Sequence, residues 1–391
     1  MAFTNLSFTS ADELAALENL ARTQAQAAIM LGRLSGRLGN LSAHAAHGFA
    51  ARIIRDALLA ALTQEGHRFT ETRFAAWFAG LTTLSDEPLR FAPPPRGLAE
   101  AVLSELACSH WEPLANTALQ IQAALLAPRE PDDAEARAAA RAALDEAAGI
   151  VAPIAADALP FPGLATIHQA ISQSIRFALA ERTPDLFKLD NLQLVLERER
   201  PPSPRWPLEL ALGSYLHASD FLPAALPIIG AIRLDAAGDA DVPRRTIQAE
   251  ALGHALACIG KAQDLSVVID ADTANLLAKL RASSRAPQLY VLLRAFGPMR
   301  TAQIEAMLGV TRLGVRSMLR VLMDANILDV QTIAGSKLYS ARTLPACAMA
   351  QQQIVSAPVV FSQSALAEYD ASMADIDALL ARHPSNGLAD E

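Results

Sequence analysis

Aromatic residues make up only 5% of the 391-residue chain, and β-branched residues seldom cluster in it. That scarcity argues against a protein built mainly of sheet and favours helix, since alanine and leucine dominate the remainder. Cysteine is scarce as well: Cys108, Cys258 and Cys347 are three in number, far apart, and form no CxxC pair. An odd, scattered set excludes a disulfide scaffold and a zinc module, and a reducing cytoplasm is the expected compartment. Long apolar runs are missing too. The longest, FLPAALPIIGAI at 221–232, is too short and too broken by proline to span a bilayer, so no membrane partner is expected. The opening MAFTNLSFTSADEL has no basic segment followed by an apolar one, so no targeting segment is expected there.

Motifs that carry chemistry are equally sparse. There is no Walker A loop, no GxGxxG and no HExxH, so neither a phosphate cradle nor a helical zinc site is written into the chain. His44 and His47, three apart, could face one metal, but no third ligand follows nearby, and surface or capping histidines are the better reading. Cys108 and His110 are neighbours expected to point apart, and Ser214, His217 and Asp220 hold triad residue types on one short packed helix with no GxSxG elbow. The acid pairs Asp132-Asp133 and Asp270/Asp272 sit where helix-start signals are strong, so capping explains them. The expectation is a protein that is not an enzyme and has no cofactor and no metal.

What is present is apolar: 52% of residues are hydrophobic, enough for packed cores in a chain long enough for two or three domains. Helical spacing fills residues 10 to 126, opened by a capping-box pattern at Ser10 and Glu13, with Ile54, Leu58 and Leu62 on one face of a helix stopped at Gly66. A Pro- and Asp-rich break at 127–134 and a second break, ERERPPSPRWP at 197–207, interrupt the pattern. Helices are expected between and after them, giving an N-terminal helical domain at 1–126 and a central one at 135–282. The tail, 346–391, carries one more amphipathic helix near 364–382, suited to packing on the body or meeting a partner.

From Pro287 the text changes. Leu289, Leu292, Leu293 and Phe296 form one helical face; Thr301 can cap a short helix ending at Leu308, and Thr311 a third, after a Gly-Val corner. That third helix would bury Val315, Met318, Leu319 and Leu322, with Asn326 as a left-handed stop, and two β-like runs follow around the turn AGSK. Three helices and a hairpin over 287–343 are the layout of a winged helix-turn-helix. The expected fold class is therefore mainly α, a multi-helix N-terminal and central body followed by a winged helix-turn-helix.

Charge is unevenly distributed. The chain carries a formal −8, yet residues 286–342 hold seven basic against three acidic residues, a local excess of four that leaves −12 on the rest. Arg312, Arg316 and Arg320 recur every four residues along one side of the third helix, opposite its apolar set, with no acid before Asp324. A helix that approaches a phosphate lattice needs this sign of charge. Double-stranded DNA is the partner expected: Arg312, Leu313 and Arg316 nearest the bases, Thr311, Ser317 and Arg320 at the backbone, Lys337 at the hairpin tip and Arg342 beyond it on a neighbouring phosphate. A single module binds modestly, so a homodimer would supply a second half-site. The alternative is an interaction or scaffold protein whose winged helix docks another protein.

The segments LGRLSGRLGNL (31–41), LTQEGHRFTETRF (62–74), LPAALPIIGAIRLDA (222–236) and the region from Pro287 resemble a bacterial family that joins a helical domain, distantly like the N-terminal region of Fic proteins, to a C-terminal helix-turn-helix DNA-binding domain. The resemblance implies a helical body and a DNA-binding end. It carries no transferase activity over, because active Fic enzymes follow their histidine with a Gly-Asn-Gly-Arg anion loop, whereas His168, His217 and His254 are continued by other residues and Gly39-Asn40 is followed by Leu41.

Overall fold

Alanine-rich amphipathic stretches become helices almost everywhere they were expected. The computed structural model describes residues 11–86, 92–178, 184–189, 192–197, 204–238, 241–277 and 284–342. The Ser10 cap and the 364–382 helix read from the sequence lie outside the described residues, among which twelve α-helices and two two-stranded hairpins are found. None of these helices is long and apolar enough to cross a membrane.

The body is organised around α2 (Ala43–Gln64), whose Phe49, Ile54, Leu58 and Leu62 are fully buried. Ser42 starts this helix by accepting a hydrogen bond from Ala45 N at 3.1 Å, and Glu65 and Gly66 (φ 94°) end it. Packed on α2 are α4 (Pro95–Ala107), α5 (Glu112–Ala123), α8 (Trp206–Ala218) and the 36-residue α9 (Val242–Leu277), along which α1 (Ala11–Leu38) lies. A shorter α3 (Glu71–Phe78) follows α2, capped by Thr70. Further round the body, α6 (Asp133–Val151) packs between α4 and α8, and α7 (Pro160–Gln173) touches α6 and α9. Two glycines permit closest approach: a Cβ on Gly97 would stand 2.3 Å from Asp133 O, and one on Gly213 would stand 1.8 Å from Leu226 O.

Buried polar groups tie distant elements together. Gln64 Oε1 accepts from Arg205 N and Trp206 N at 2.9 and 2.7 Å, satisfying orphan donors at the start of α8, while its Nε2 donates to Glu209 at 3.1 Å. Glu209, fully buried, also accepts from Gly230 N at 2.9 Å. His168 is equally buried: its Nδ1 donates to Leu164 O at 2.8 Å, leaving Nε2 to accept from Arg233 N at 3.3 Å, which fixes the neutral tautomer.

Three sequence readings are corrected here. Residues 184–197, expected to be helical, form a hairpin of β1 (Pro184–Leu189) and β2 (Leu192–Glu197), in register Leu189 to Leu192. The period in PDLFKLDNLQLVLE is closer to two than to 3.6, and it breaks at Asp190-Asn191, residues that favour turns over helix. Asp270 and Asp272 lie inside α9 and do not start a helix; Asp272 accepts from Tyr290 OH at 3.1 Å. Pro207, read as part of a non-helical break, stands in the first turn of α8, where its missing N–H costs nothing.

The basic region begins with α10 (Ala286–Ala295), α11 (Thr301–Leu308) and α12 (Arg312–Asp324), followed by β3 (Leu328–Ile333) and β4 (Ser336–Ala341). It packs on the body within one compact unit, Met1–Arg342. Phe296 stacks against Phe78 and Phe74 with ring centroids 5.1 and 6.3 Å apart. Gln303, fully buried on α11, donates to Phe78 O and Ala124 O at 3.1 and 2.9 Å, reaching the C-terminal ends of α3 and α5 at once. The N-cap of α11 is Arg300, not Thr301: Gln303 Oε1 accepts from Arg300 N at 3.0 Å, the returning half of a capping box.

Candidate nucleic-acid interface

Local sequence sets the geometry of α12. Gly309 takes the left-handed conformation (φ 59°) that ends α11, and two residues later Thr311 Oγ1 accepts from Gly314 N at 3.3 Å to start α12. Val315, Met318, Leu319 and Leu322 are buried, as their spacing implies. Beyond it Asn326 (φ 55°) turns the chain into β3, and Ala334 (φ 47°) and Gly335 (φ 74°) make the two-residue turn into β4.

One feature had no sequence signal. Met299, between α10 and α11, forms a bridge with Tyr339 of β4, with N–H···O contacts of 3.0 and 2.8 Å in both directions. This pins the hairpin beside the start of α11. An open cleft of about 710 Å³ results, walled by α11, α12 and the hairpin.

Arg312, Arg316, Arg320 and Lys337 all line this cleft, so four of the residues singled out from the sequence meet in one place. Among the described residues none of the four takes part in an ion pair. Several body arginines differ: Arg37, Arg73, Arg96, Arg137, Arg141 and Arg176 each hold a carboxylate within 3.1 Å, whereas Arg33, Arg68, Arg129 and Arg245 share the lack of an ion pair among the described residues. The stripe is therefore a flank of α12 bordering its apolar face, and does not stand opposite that face as the spacing suggested. Leu313 and Ser317 are exposed beside it without lining the cleft, and Thr311 is exposed at the cap. Arg342 is placed differently: its guanidinium donates to Asp329 Oδ1 at 2.7 and 2.9 Å and to Asn326 Oδ1 at 2.8 Å, bracing the base of the hairpin.

The cleft also contains residues that were not singled out. Arg300 lines it while donating Nη1 to Ala79 O at 3.0 Å, Tyr339 presents a hydroxyl-bearing ring, and Glu305 is the one acid in the lining. Arg300 joins the site as the N-cap of α11, and Tyr339 through its bridge to Met299, a contact across forty residues that no local pattern announces.

Compared with known proteins, the chain matches no family model and no curated sequence.

Cys108 caps the end of α4, with His110 in the loop that follows, so both lie outside a helix; Cys108 and His110 are exposed. His217 meets the Leu222 carbonyl at 3.0 Å, and Asp220 lies beyond α8 with φ 59°. His47 Nδ1 stands 3.2 Å from Ala43 O, and no group of three metal-ligating side chains occurs among the described residues. Asp133 accepts from Glu130 N at 2.8 Å and Gly97 N at 3.2 Å, a structural role joining α4 to the start of α6.

Proposed function

We propose that residues 286–342 are a winged helix-turn-helix that binds double-stranded DNA, and that the chain is a cytoplasmic transcriptional regulator. The observation that carries this is that Arg312, Arg316, Arg320 and Lys337 surround one open cleft and, among the described residues, take part in no ion pair, in a protein of net charge −8. Cations gathered at one open surface are suited to an external polyanion, and an acidic remainder disfavours indiscriminate adhesion of the body. In this reading α12 enters the major groove, the hairpin is the wing, and a second copy supplies the second half-site. Arg342, bound to Asp329 and Asn326, is assigned to the fold of the wing and no longer to phosphate. The body would sense an effector or hold the dimer together, and the reading contains no catalytic step.

Anisotropy of a labelled random-sequence duplex tests it. Binding should weaken with salt, with a slope of about 3 to 4 for four phosphate-neutralising groups per protomer. Arg316→Glu with Lys337→Glu should abolish it, and Lys261→Glu, an exposed change on α9, should not. Binding that ignores salt, or survives the double reversal, overturns the reading and favours protein docking.

A further inference from the structure

Charge does not explain every residue on the open face of α12. Leu313, the second residue of the helix, is 76% exposed, although Thr311, Arg312, Arg316 and Ser317 around it are polar or charged. A single exposed leucine is ordinary on a protein surface. This one has a particular setting. Arg316 and Ser317 are its neighbours three and four residues on, so its apolar body is framed by groups that hydrogen-bond phosphates and base edges. Helical side chains lean toward the N-terminus, so Leu313 leans toward the end of α12 that meets base edges when a helix lies in a major groove. The next residue, Gly314, has no side chain that could cover Leu313.

We infer that Leu313 is a specificity-determining residue that packs on the 5-methyl group of a pyrimidine in the major groove. The inference rests on the DNA-binding reading above. Among the groups that line the major groove, the pyrimidine methyl is the apolar one, and it is what an unshielded leucine among cations can recognise. Thymine and 5-methylcytosine both carry it, and the experiment separates them.

A preferred duplex is first selected from random sequence with the wild-type protein. Each thymine in it is then replaced singly by uracil, which removes only the methyl, and each cytosine singly by 5-methylcytosine, which adds one. The wild type should lose affinity about fourfold at one position per half-site on uracil replacement, the size expected for one methyl taken from water. A fourfold gain at one methylated cytosine would support the inference equally and identify that base as the source. Leu313→Ala, an exposed change checked for folding by its thermal melt, should abolish the methyl effect, whereas Arg320→Ala should weaken binding and preserve it. Binding that is indifferent to every added or removed methyl, or a methyl effect unchanged in Leu313→Ala, overturns the inference and leaves DNA binding intact. Absence of salt-dependent duplex binding by the wild type would instead remove the reading on which it stands.

Discussion

Arg316 and Arg320 lie one turn apart on α12, and both line the same cleft, yet they should fail differently when truncated. Arg316 is one turn into the helix, within reach of a base edge, where a bidentate guanine contact contributes roughly 1 to 3 kcal/mol; Arg320, a turn further from the groove floor, should neutralise phosphate. Titrations on a selected and a random duplex at two salt concentrations should show Arg316→Ala losing more on the selected site, and Arg320→Ala losing equally on both while the salt slope falls by about one. Equal losses on both duplexes for Arg316→Ala would reduce it to a phosphate contact. Gln303 makes a second residue-scale case. Its amide donates to Phe78 O and Ala124 O and accepts from Arg300 N, and Phe78 O also accepts from Leu126 N at 3.0 Å, so removing the amide chiefly strands Ala124 O and Arg300 N. Gln303→Leu should cost about 1 to 3 kcal/mol in urea unfolding, and Gln303→Glu more, because a carboxylate would face two carbonyl oxygens with nothing to donate. The reverse order would mean that the space is set by shape and not by hydrogen bonding. Nothing in the local text marks Gln303 as important, since its partners lie 225 and 179 residues away.

Among the elements, α12 was the most legible. Its cap, apolar spacing and left-handed stop depend on neighbours within a turn, and Thr311, the buried set and Asn326 all stand where those rules put them. Two other elements show where local reading gives out. The β1–β2 hairpin was hidden because the helical pattern before it was extended up to the proline break at 197–207, although the alternation around Asp190-Asn191 was available. The cap of α11 went to Arg300 over Thr301 because Gln303 supplies the return bond, and Gln303 is held in place by the body. The cleft itself was half legible: its basic residues on α12 and at Lys337 were visible, but the Met299–Tyr339 bridge that closes it belongs to tertiary packing. The β3–β4 turn yields a prediction at this scale. Ala334 occupies a left-handed position (φ 47°) that asparagine or glycine tolerates far better, at a cost to alanine of about 1 kcal/mol. Ala334→Asn should therefore raise stability by roughly 0.5 to 1 kcal/mol, read as a higher urea midpoint with unchanged slope. Loss of stability would show that Ala334 makes a packing contribution outweighing its backbone cost.

For the whole molecule, buried titratable groups of opposite sign share the body, and their effects on stability should separate with pH. Burial pushes His168 below its ordinary 6.5, against the opposing pull of the Leu164 carbonyl and Asp235, and burial also lowers His67. Between 6.5 and the depressed folded value the unfolded chain binds more protons, so the stability these histidines confer is complete above 6.5 and is lost as pH falls through the folded pKa. Glu209 behaves inversely. Burial raises it above 4.5 despite hydrogen bonds from Gln64 and Gly230 and the nearby Arg205, so the folded state holds its proton more tightly, and stability declines as pH rises through that raised value. Burial raises Glu65 in the same direction even though Trp206 donates to it. In the wild type a single pH profile sums these trends, and difference profiles against neutral substitutes separate them. Relative to wild type, His168→Gln should gain in urea-unfolding free energy as pH falls below 6.5, because glutamine has no proton to take up. Glu209→Gln should gain relative to wild type as pH rises from 4.5, because the variant escapes the cost of ionising a buried carboxyl between α8 and the 228–232 segment. A constant offset between variant and wild type reflects packing, so the test lies in the slopes. Flat difference profiles would show that these groups titrate alike in the folded and unfolded chain, and two profiles of the same sign that one of the groups is shifted in the opposite direction.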